Sequence, residues 1–297
     1  MRILITGAGS NMGRGMVPRL REVGHDLVLS DVNRLTDGEP FTGLPFVQCD
    51  LQNGFGLERA VAGCDLVLHL PAWHGIHWGQ KTEVDYWRLN VDGTFYTLQA
   101  AKEAGVKRVV FLSSTAWYGH YDKYGFTKRI GEELCEYHRV NHAMRYVAVR
   151  PNDLTPWGED WVNRYGARLL YGGVDRDDVL DCIAQSIQVL EKPLNDGAEP
   201  ENQVVHAVRG DVYSDEQIAD WESDPLAACE RIFPGSAVLV QKYNIGITRK
   251  PSVSKTDDGA KAIGYTPSRH FGTFLETLRR FDEEGGPERV AQMRCPY

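Results

Sequence analysis

The sequence predicts an α/β fold built on a doubly wound parallel sheet. Three observations predict it. Short β-branched runs alternate with helical stretches through the first half of the chain. Those runs are apolar throughout rather than alternating with polar residues, the mark of strands buried on both faces. The helical stretches between them are long enough to serve as right-handed crossovers from one strand to the next.

Taken in order, RILIT at 2–6 is the first strand, followed by a helix to residue 23 that contains Pro18, where a kink is expected. Strands follow at 26–30 (DLVLS) and 46–50 (FVQCD), then a helix over 57–62 and a strand at 65–70 (DLVLHL). A long helix over 84–104, the strand RVVFLSS at 108–114, a helix over 121–140 and the strand RYVAVRP at 145–151 complete the pattern. After Pro151 the rhythm breaks, with a helix over 177–190, a strand at 204–208, helical turns through 215–232 and a last helix over 270–281. The expected organisation is a core over residues 1–150 and a small lobe over 151–297, assembled from C-terminal segments interleaved with the core. Trp157 and Trp161 are expected to pack that lobe.

The bulk composition narrows the partners. The 297 residues carry 33 Lys and Arg against 41 Asp and Glu, a formal charge of −8, with no basic run to meet nucleic acid or an anionic membrane. No apolar stretch approaches the ~20 residues of a membrane span, and the N-terminus reads as a strand rather than a signal peptide. A cytoplasmic protein with a small-molecule partner is the expectation. The six cysteines (49, 64, 135, 182, 229 and 295) show no CxxC pair, and read as reduced packing residues.

Chemistry enters at the turn after the first strand, T6-G7-A8-G9-S10-N11-M12-G13. Gly7, Gly9 and Gly13 permit a tight turn and a close backbone approach to a pyrophosphate. Ser10, Asn11 and Met12 open a helix whose free N–H groups attract that anion. Asp31 ends the second strand, 18 residues past Gly13, where a carboxylate accepts from ribose hydroxyls and repels a 2′-phosphate. The turn therefore reads as a Rossmann dinucleotide site that favours NAD, with Arg34 nearby keeping NADP open.

Tyr124 and Lys128 are spaced i, i+4, on one face of the helix that follows the fifth strand. That strand ends in Ser113 and Ser114, at the carboxyl edge where open α/β sheets bind ligands. A free tyrosine has a pKa of about 10, and poising it near 7 takes roughly 4 kcal/mol of preferential phenolate stabilisation. A neighbouring ammonium and the positive charge of a nicotinamide are the expected sources. Ser114 would hold the reacting hydroxyl while Tyr124 moves its proton. In the loop P71-A-W-H-G-I-H-W78, Trp73 and Trp78 offer apolar faces to a sugar ring, while His74 and His77 offer hydrogen bonds. No convincing third ligand accompanies the two histidines, so no metal is expected.

With these motifs in place the chain resembles the extended short-chain dehydrogenases/reductases, the NAD-dependent epimerase/dehydratase family. The resemblance rests on TGAGSNMG, Asp31, C49-D50-L51, HLPA at 69–72, NVDGT at 90–94, SSTAWYG at 113–119, YGFTK at 124–128 and VRP at 149–151. It implies that Asp50 and Leu51 frame the adenine, that Leu70, Pro71, Ala72 and Pro151 lie along NAD, and that Asn90 supports the catalytic network. Two departures stand out: Ser10 occupies the usual position of the second glycine, and only nine residues separate Ser114 from Tyr124.

The stretch R168-LLYGGVDRDD-178 is similar to a segment of uronate dehydrogenases, which oxidise free sugar acids. That similarity implies a carboxylate- or sugar-binding Arg168, although Thr115-Ala116 follow Ser114 where uronate dehydrogenases have Asn-His; the expected substrate-binding residues are Trp73, His74, Ser114, Thr115, Asn152 and Arg168. The resulting expectation is an NAD-dependent oxidoreductase of a sugar or sugar acid. The alternative is a nucleotide-sugar epimerase or dehydratase with tightly bound NAD. A homodimer through the helices over 84–104 and 121–140 follows from the family resemblance; their apolar stripes fit an ordinary core equally well.

Overall fold

The structure, a computed structural model, describes residues 1–35, 38–117, 121–155, 160–194, 201–254 and 258–293. Trp157, Cys295 and the last two residues of SSTAWYG lie outside them. The chain divides into two compact units: Met1–Arg150 with Leu180–His206 and Ala262–Gly264, and Pro151–Val179 with Ala207–Lys261 and Tyr265–Tyr297.

The first unit is organised by strands β1 (Arg2–Thr6), β2 (Asp26–Asp31), β3 (Phe46–Gln48), β4 (Leu66–His69), β5 (Arg108–Leu112) and β6 (Arg145–Pro151). After the short β7 (Asp153–Thr155) and β8 (Gly173–Asp175), β9 (Asn202–Ala207) completes a seven-stranded sheet of order β3-β2-β1-β4-β5-β6-β9. Pairing is parallel from β3 through β6, in registers such as Arg2↔Asp26, Ile3↔Leu66 and Arg108↔Arg145. The amide of Tyr146 donates to Glu201 O and that of Asn152 to Ala207 O, so β9 advances in step with β6. Ile3, Leu4 and Ile5 are fully buried, which is why their strand shows no polar alternation.

Crossover helices cover the sheet. The helix α1 (Asn11–Glu22) buries Met12, Met16, Val17 and Leu20 on one face and runs as one element through Pro18. On another face, Leu57, Ala60 and Val61 of α2 (Leu57–Val61) share a core with Leu98 and Ala101 of α4 (Gly93–Glu103), Cys135 of α5 (Lys123–His142), and Val67, Val109 and Phe111 of the sheet. Each buried Leu, Val or Phe side chain there contributes about 1.5–3 kcal/mol. The single helix expected over 84–104 is instead α3 (Glu83–Tyr86), a π turn over Trp87–Asp92, and α4. A π turn breaks the 3.6-residue period and commonly marks a functional site. Asp122 caps α5, its Oδ1 accepting from the Tyr124 and Gly125 amides at 2.8 and 2.7 Å.

The second unit holds β7 and β8 as a parallel pair, with α6 (Arg168–Leu170) before β8. The helix α7 (Arg176–Glu191) starts in this unit and continues in the first. Its core is aromatic: the Trp161 ring lies 4.9 Å from Phe274 and 5.6 Å from Phe281. The segment 202–233 contributes to both units. It supplies β9, a buried Trp221 whose Nε1 donates to Ile247 O at 2.7 Å, and α8 (Pro225–Ile232). The helices α9 (Ser236–Tyr243) and α10 (Asp258–Ile263) were not foreseen. The last helix, α11 (Phe271–Ala291), continues well past residue 281 across a break at Gly285 and Gly286. Among the described residues no helix is long and apolar enough to cross a membrane.

Gly131 lets α5 lie directly on the sheet, because a Cβ there would sit 2.5 Å from Phe111 Cζ. Gly131→Ala is expected to lower the unfolding free energy by about 1–3 kcal/mol through overpacking, read as an earlier urea midpoint. An unchanged midpoint would contradict that contact.

Candidate functional site

At the glycine turn, Gly7 adopts a φ of 68°, and a Cβ on it would meet Pro71 Cγ at 2.7 Å. A Cβ on Gly13 would run into Ala8 O. Ser10 departs from a glycine pattern without strain: its φ is −68°, and its hydroxyl caps α1 by accepting from the Gly13 amide at 3.1 Å. Asp31 Oδ2 accepts from the Gly9 amide at 3.0 Å and Oδ1 from the Asn33 amide at 3.1 Å. A carboxylate has about four acceptor positions, so it retains capacity for hydroxyl donors. The closely approached backbone, capped helix start and strand-end carboxylate fit a dinucleotide.

Asn11 and Met12 form the first turn of α1, Met12 buried. Asp50 accepts from the Gln52 amide at 3.1 Å and from Asn53 Nδ2 at 2.9 Å, fixing a turn whose Leu51 is buried beside Gly93. Leu70 is buried, while Pro71 and Ala72 are partly exposed at the end of β4.

The carboxyl end of β5 brings three predicted residues into one neighbourhood. The Ser114 hydroxyl accepts from the Ala116 amide at 3.1 Å and sits near enough to the Tyr124 phenol to favour its ionised form. Thr115 begins the short 3-10 turn Thr115–Trp117. Lys128 is buried, donates from Nζ to Leu112 O at 2.6 Å and lies 5.1 Å from the Phe111 ring centroid.

Protonation differs from the sequence expectation. Burial raises the Tyr124 phenol above its ordinary value, with Ser114 opposing and Tyr86 and Asp122 adding to the rise. Burial pulls the Lys128 ammonium down to about 7, with Glu132 opposing. In the chain alone, Lys128 serves Leu112 and Phe111, and the phenol remains protonated at neutral pH.

Around this pair runs a buried polar network. Asn90, on the π turn, accepts from the Trp73 amide at 2.8 Å, and its Nδ2 donates to Trp73 O at 3.0 Å and Thr127 Oγ1 at 2.9 Å. Thr94 Oγ1 donates to Asn90 O at 2.7 Å and lies 3.2 Å from His69 Nε2, while His69 Nδ1 lies 3.0 Å from Thr6 Oγ1. That pattern assigns the Nε2–H tautomer to His69, because the Thr94 proton is already committed. Burial, and then Lys128, hold His69 down to about 3, so the ring is neutral.

The loop after β4 is held in place. Tyr86 donates from its hydroxyl to His74 O at 2.7 Å, and His77 Nδ1 accepts from the His74 amide at 3.2 Å. The His74 ring lies 6.3 Å from that of Tyr124, and it is pulled down to about 4 by burial first, then by His77 and Lys128. The Trp73 ring carries Lys81 Nζ over it at 4.3 Å and meets the His77 ring edge-on at 4.8 Å.

Comparison with known proteins bears on this geometry. The profile of the NAD dependent epimerase/dehydratase family matches residues 3–158, more than half of the chain. The chain belongs to that family. Its cofactor is NAD, and it is an enzyme of the short-chain dehydrogenase/reductase type. Among relatives, a uronate dehydrogenase of Pseudomonas putida is 25% identical over 206 residues, covering 63% of this chain and 71% of its own. A UDP-glucose 4-epimerase of Lactobacillus helveticus is 28% identical over 169 residues, covering 50% and 51%. The solved structure of MoeE5 in complex with UDP-glucose and NAD superposes with a TM-score of 0.64 at 22% identity, covering 94% of this chain and 99% of that one. It shows the same fold.

Further buried polar residues join this neighbourhood. Glu132 accepts from Arg150 Nε at 2.8 Å, forms an ion pair with the same guanidinium, and accepts from the Ser113 hydroxyl. Glu132 follows Lys128 by four residues and Arg150 interrupts an apolar strand; both were signals available in the sequence. His69, Thr6 and Thr127 lie inside the motifs HLPA, TGAGSNMG and YGFTK, but their partners come from other strands and helices, which the motifs do not name. Pro151, Asn152 and Arg168 belong to the second unit. There the Asn152 amide donates to Ala207 O at 3.0 Å, and Arg168 is ion-paired with Asp153.

His69 makes stability depend on pH. An unfolded histidine titrates near 6.5 and the folded one at about 3, so the unfolded chain binds more protons between those values. The contribution, on the order of 5 kcal/mol, is fully present above pH 6.5 and lost as pH falls toward 3. His69→Asn should flatten urea stability against pH across that window; an undiminished slope would show that other groups carry it.

Proposed function

We propose that this chain is an NAD-dependent dehydrogenase of a free sugar or sugar acid, with Ser114, Tyr124 and Lys128 as its catalytic residues and Asn90 supporting them. The observation that carries this reading is the buried Lys128 at the carboxyl end of β5, one helical turn after Tyr124 on α5, its Nζ fixed on Leu112 O at 2.6 Å. The turn Gly7, Gly9, Ser10, Asn11, Met12 and Gly13 would hold the NAD pyrophosphate, and Asp31 its ribose hydroxyls. Asp50 and Leu51 would border the adenine, with Leu70, Pro71, Ala72 and Pro151 along the cofactor. When bound, NAD supplies the hydride acceptor and a positive ring.

Tyr124 carries the proton of the substrate hydroxyl, which requires its phenolate. Burial opposes that form in the chain alone, so nearby positive charge is needed to favour it. Ser114 and Thr115 orient the hydroxyl, and Trp73 and His74 line the substrate. Asn152 is a further substrate contact, and Arg168, now paired with Asp153, is the guanidinium suited to a sugar acid's carboxylate. The likeness to a UDP-glucose 4-epimerase supports a second reading, in which hydride returns to a nucleotide sugar and NAD stays bound.

Incubation with excess NAD and a panel of aldoses, uronic acids and nucleotide sugars separates the two. Substrate-dependent NADH is expected from an aldose or uronic acid, with a rate that rises toward alkaline pH as the phenol ionises. Tyr124→Phe should reduce kcat by about 10²–10⁴-fold. Product from a nucleotide sugar without net NADH would favour the second reading, and an unimpaired Tyr124→Phe would overturn the assigned chemistry.

The same reading includes a homodimer. Phe95 on α4, with Tyr137 and Val140 on α5, is 39%, 51% and 64% exposed, apolar surface that suits a helical interface. Sedimentation should give a dimer that Tyr137→Glu with Val140→Glu converts to monomer; a wild-type monomer would dispose of this assembly.

A further inference from the structure

Beside Tyr124, the side chain of Lys123 has a role that the reaction itself does not require. Its Nζ donates to Trp78 O at 3.0 Å and to Lys81 O at 2.6 Å. The same ammonium lies 4.8 Å from the Trp78 ring centroid and 4.9 Å from that of Tyr86. An ammonium offers three donors and no acceptor; here two meet carbonyl oxygens and the charge faces two aromatic rings. A solvated surface lysine would have none of these partners fixed.

The contacts close a circuit. Thr127 Oγ1 donates to Lys123 O at 2.8 Å and accepts from Asn90 Nδ2, and Asn90 holds both the amide and the carbonyl of Trp73. The loop over 73–81 is thus fastened at its start through Asn90 to Thr127 and at its end directly by Lys123, both within the first two turns of α5. His74 lies between the two fastenings, with its ring beside that of Tyr124.

We propose that Lys123 is a positioning residue that clamps the 73–81 loop to the first turn of α5, so that the substrate-lining wall and the Tyr124 phenol keep one fixed geometry. This rests on the dehydrogenase reading for its effect on substrate, but the clamp itself is independent of turnover. The loop, W73-H-G-I-H-W-G-Q-K81, contains no carboxylate, so the wall held in this way does not repel an acidic sugar.

Lys123→Met keeps chain length and removes the charge, and Lys123→Arg keeps the charge. In Lys123→Met, hydrogen–deuterium exchange over 73–81 should accelerate about tenfold, and Lys123→Arg should restore it to within about threefold of wild type. With the sugar identified by the panel, Lys123→Met should raise KM about tenfold, leaving kcat within about threefold and NAD affinity unchanged. Unchanged exchange would overturn the clamp. Faster exchange with an unchanged KM, or an equal loss of NAD affinity, would overturn the positioning role. Should the wild type oxidise no sugar, the dehydrogenase reading fails while exchange still decides the clamp.

Discussion

A lysine ammonium buried at the carboxyl end of β5 is the constraint around which the first unit is arranged. Removing a charge from water costs several kcal/mol unless partners replace the lost hydration. Lys128 finds the Leu112 carbonyl and the face of Phe111, while Glu132, one helical turn away, supplies opposite charge. Glu132 is itself buried, and it is tolerated because Arg150 and Ser113 converge on it. Strand β5, strand β6 and helix α5 are thereby tied to one another by charge as well as by apolar packing. Gly131 makes this possible by letting the helix lie against Phe111.

Above that charged layer the polar groups are neutral and tightly committed. His69 is held neutral between Thr6 and Thr94, and Asn90 spends its carboxamide on Trp73 and Thr127. Unpaired polar groups are costly in a low-dielectric interior, so a fully satisfied network fixes a single geometry. The π turn at Trp87–Asp92 is part of that outcome, since it carries the buried Asn90 between two ordinary helices. The loop after β4 inherits its order from these anchors rather than from its own sequence.

The sheet was legible because each strand carries its own signal. The runs 2–6, 26–31 and 145–151 are apolar without alternation, and the structure buries them between neighbours on both sides. The glycine turn was legible for a similar reason: Gly7 needs its positive φ, and Gly13 has no room for a side chain. The single helix expected over 84–104 concealed a π turn, because one inserted residue hardly alters an apolar pattern. In the second unit, the short strands β7 and β8 offer three residues each, too few for periodicity to register. The break in α11 falls at Gly285 and Gly286, where glycine's conformational freedom separates two helical stretches that apolar spacing alone does not delimit.

The amino-acid order by itself determined the parallel α/β architecture, the tight glycine turn with Asp31 at the end of the second strand, and the placing of Tyr124 and Lys128 on one helical face. These depend on spacing within a strand, a turn or a helix, and so on neighbours along the chain. Tertiary structure decided which groups Lys128 and Asn90 actually engage, that Tyr124 rests as a protonated phenol, that His69 is neutral, and that Arg168 is paired with Asp153. Desolvation and hydrogen-bond partnership come from residues distant in sequence, and they exist only once the chain has folded.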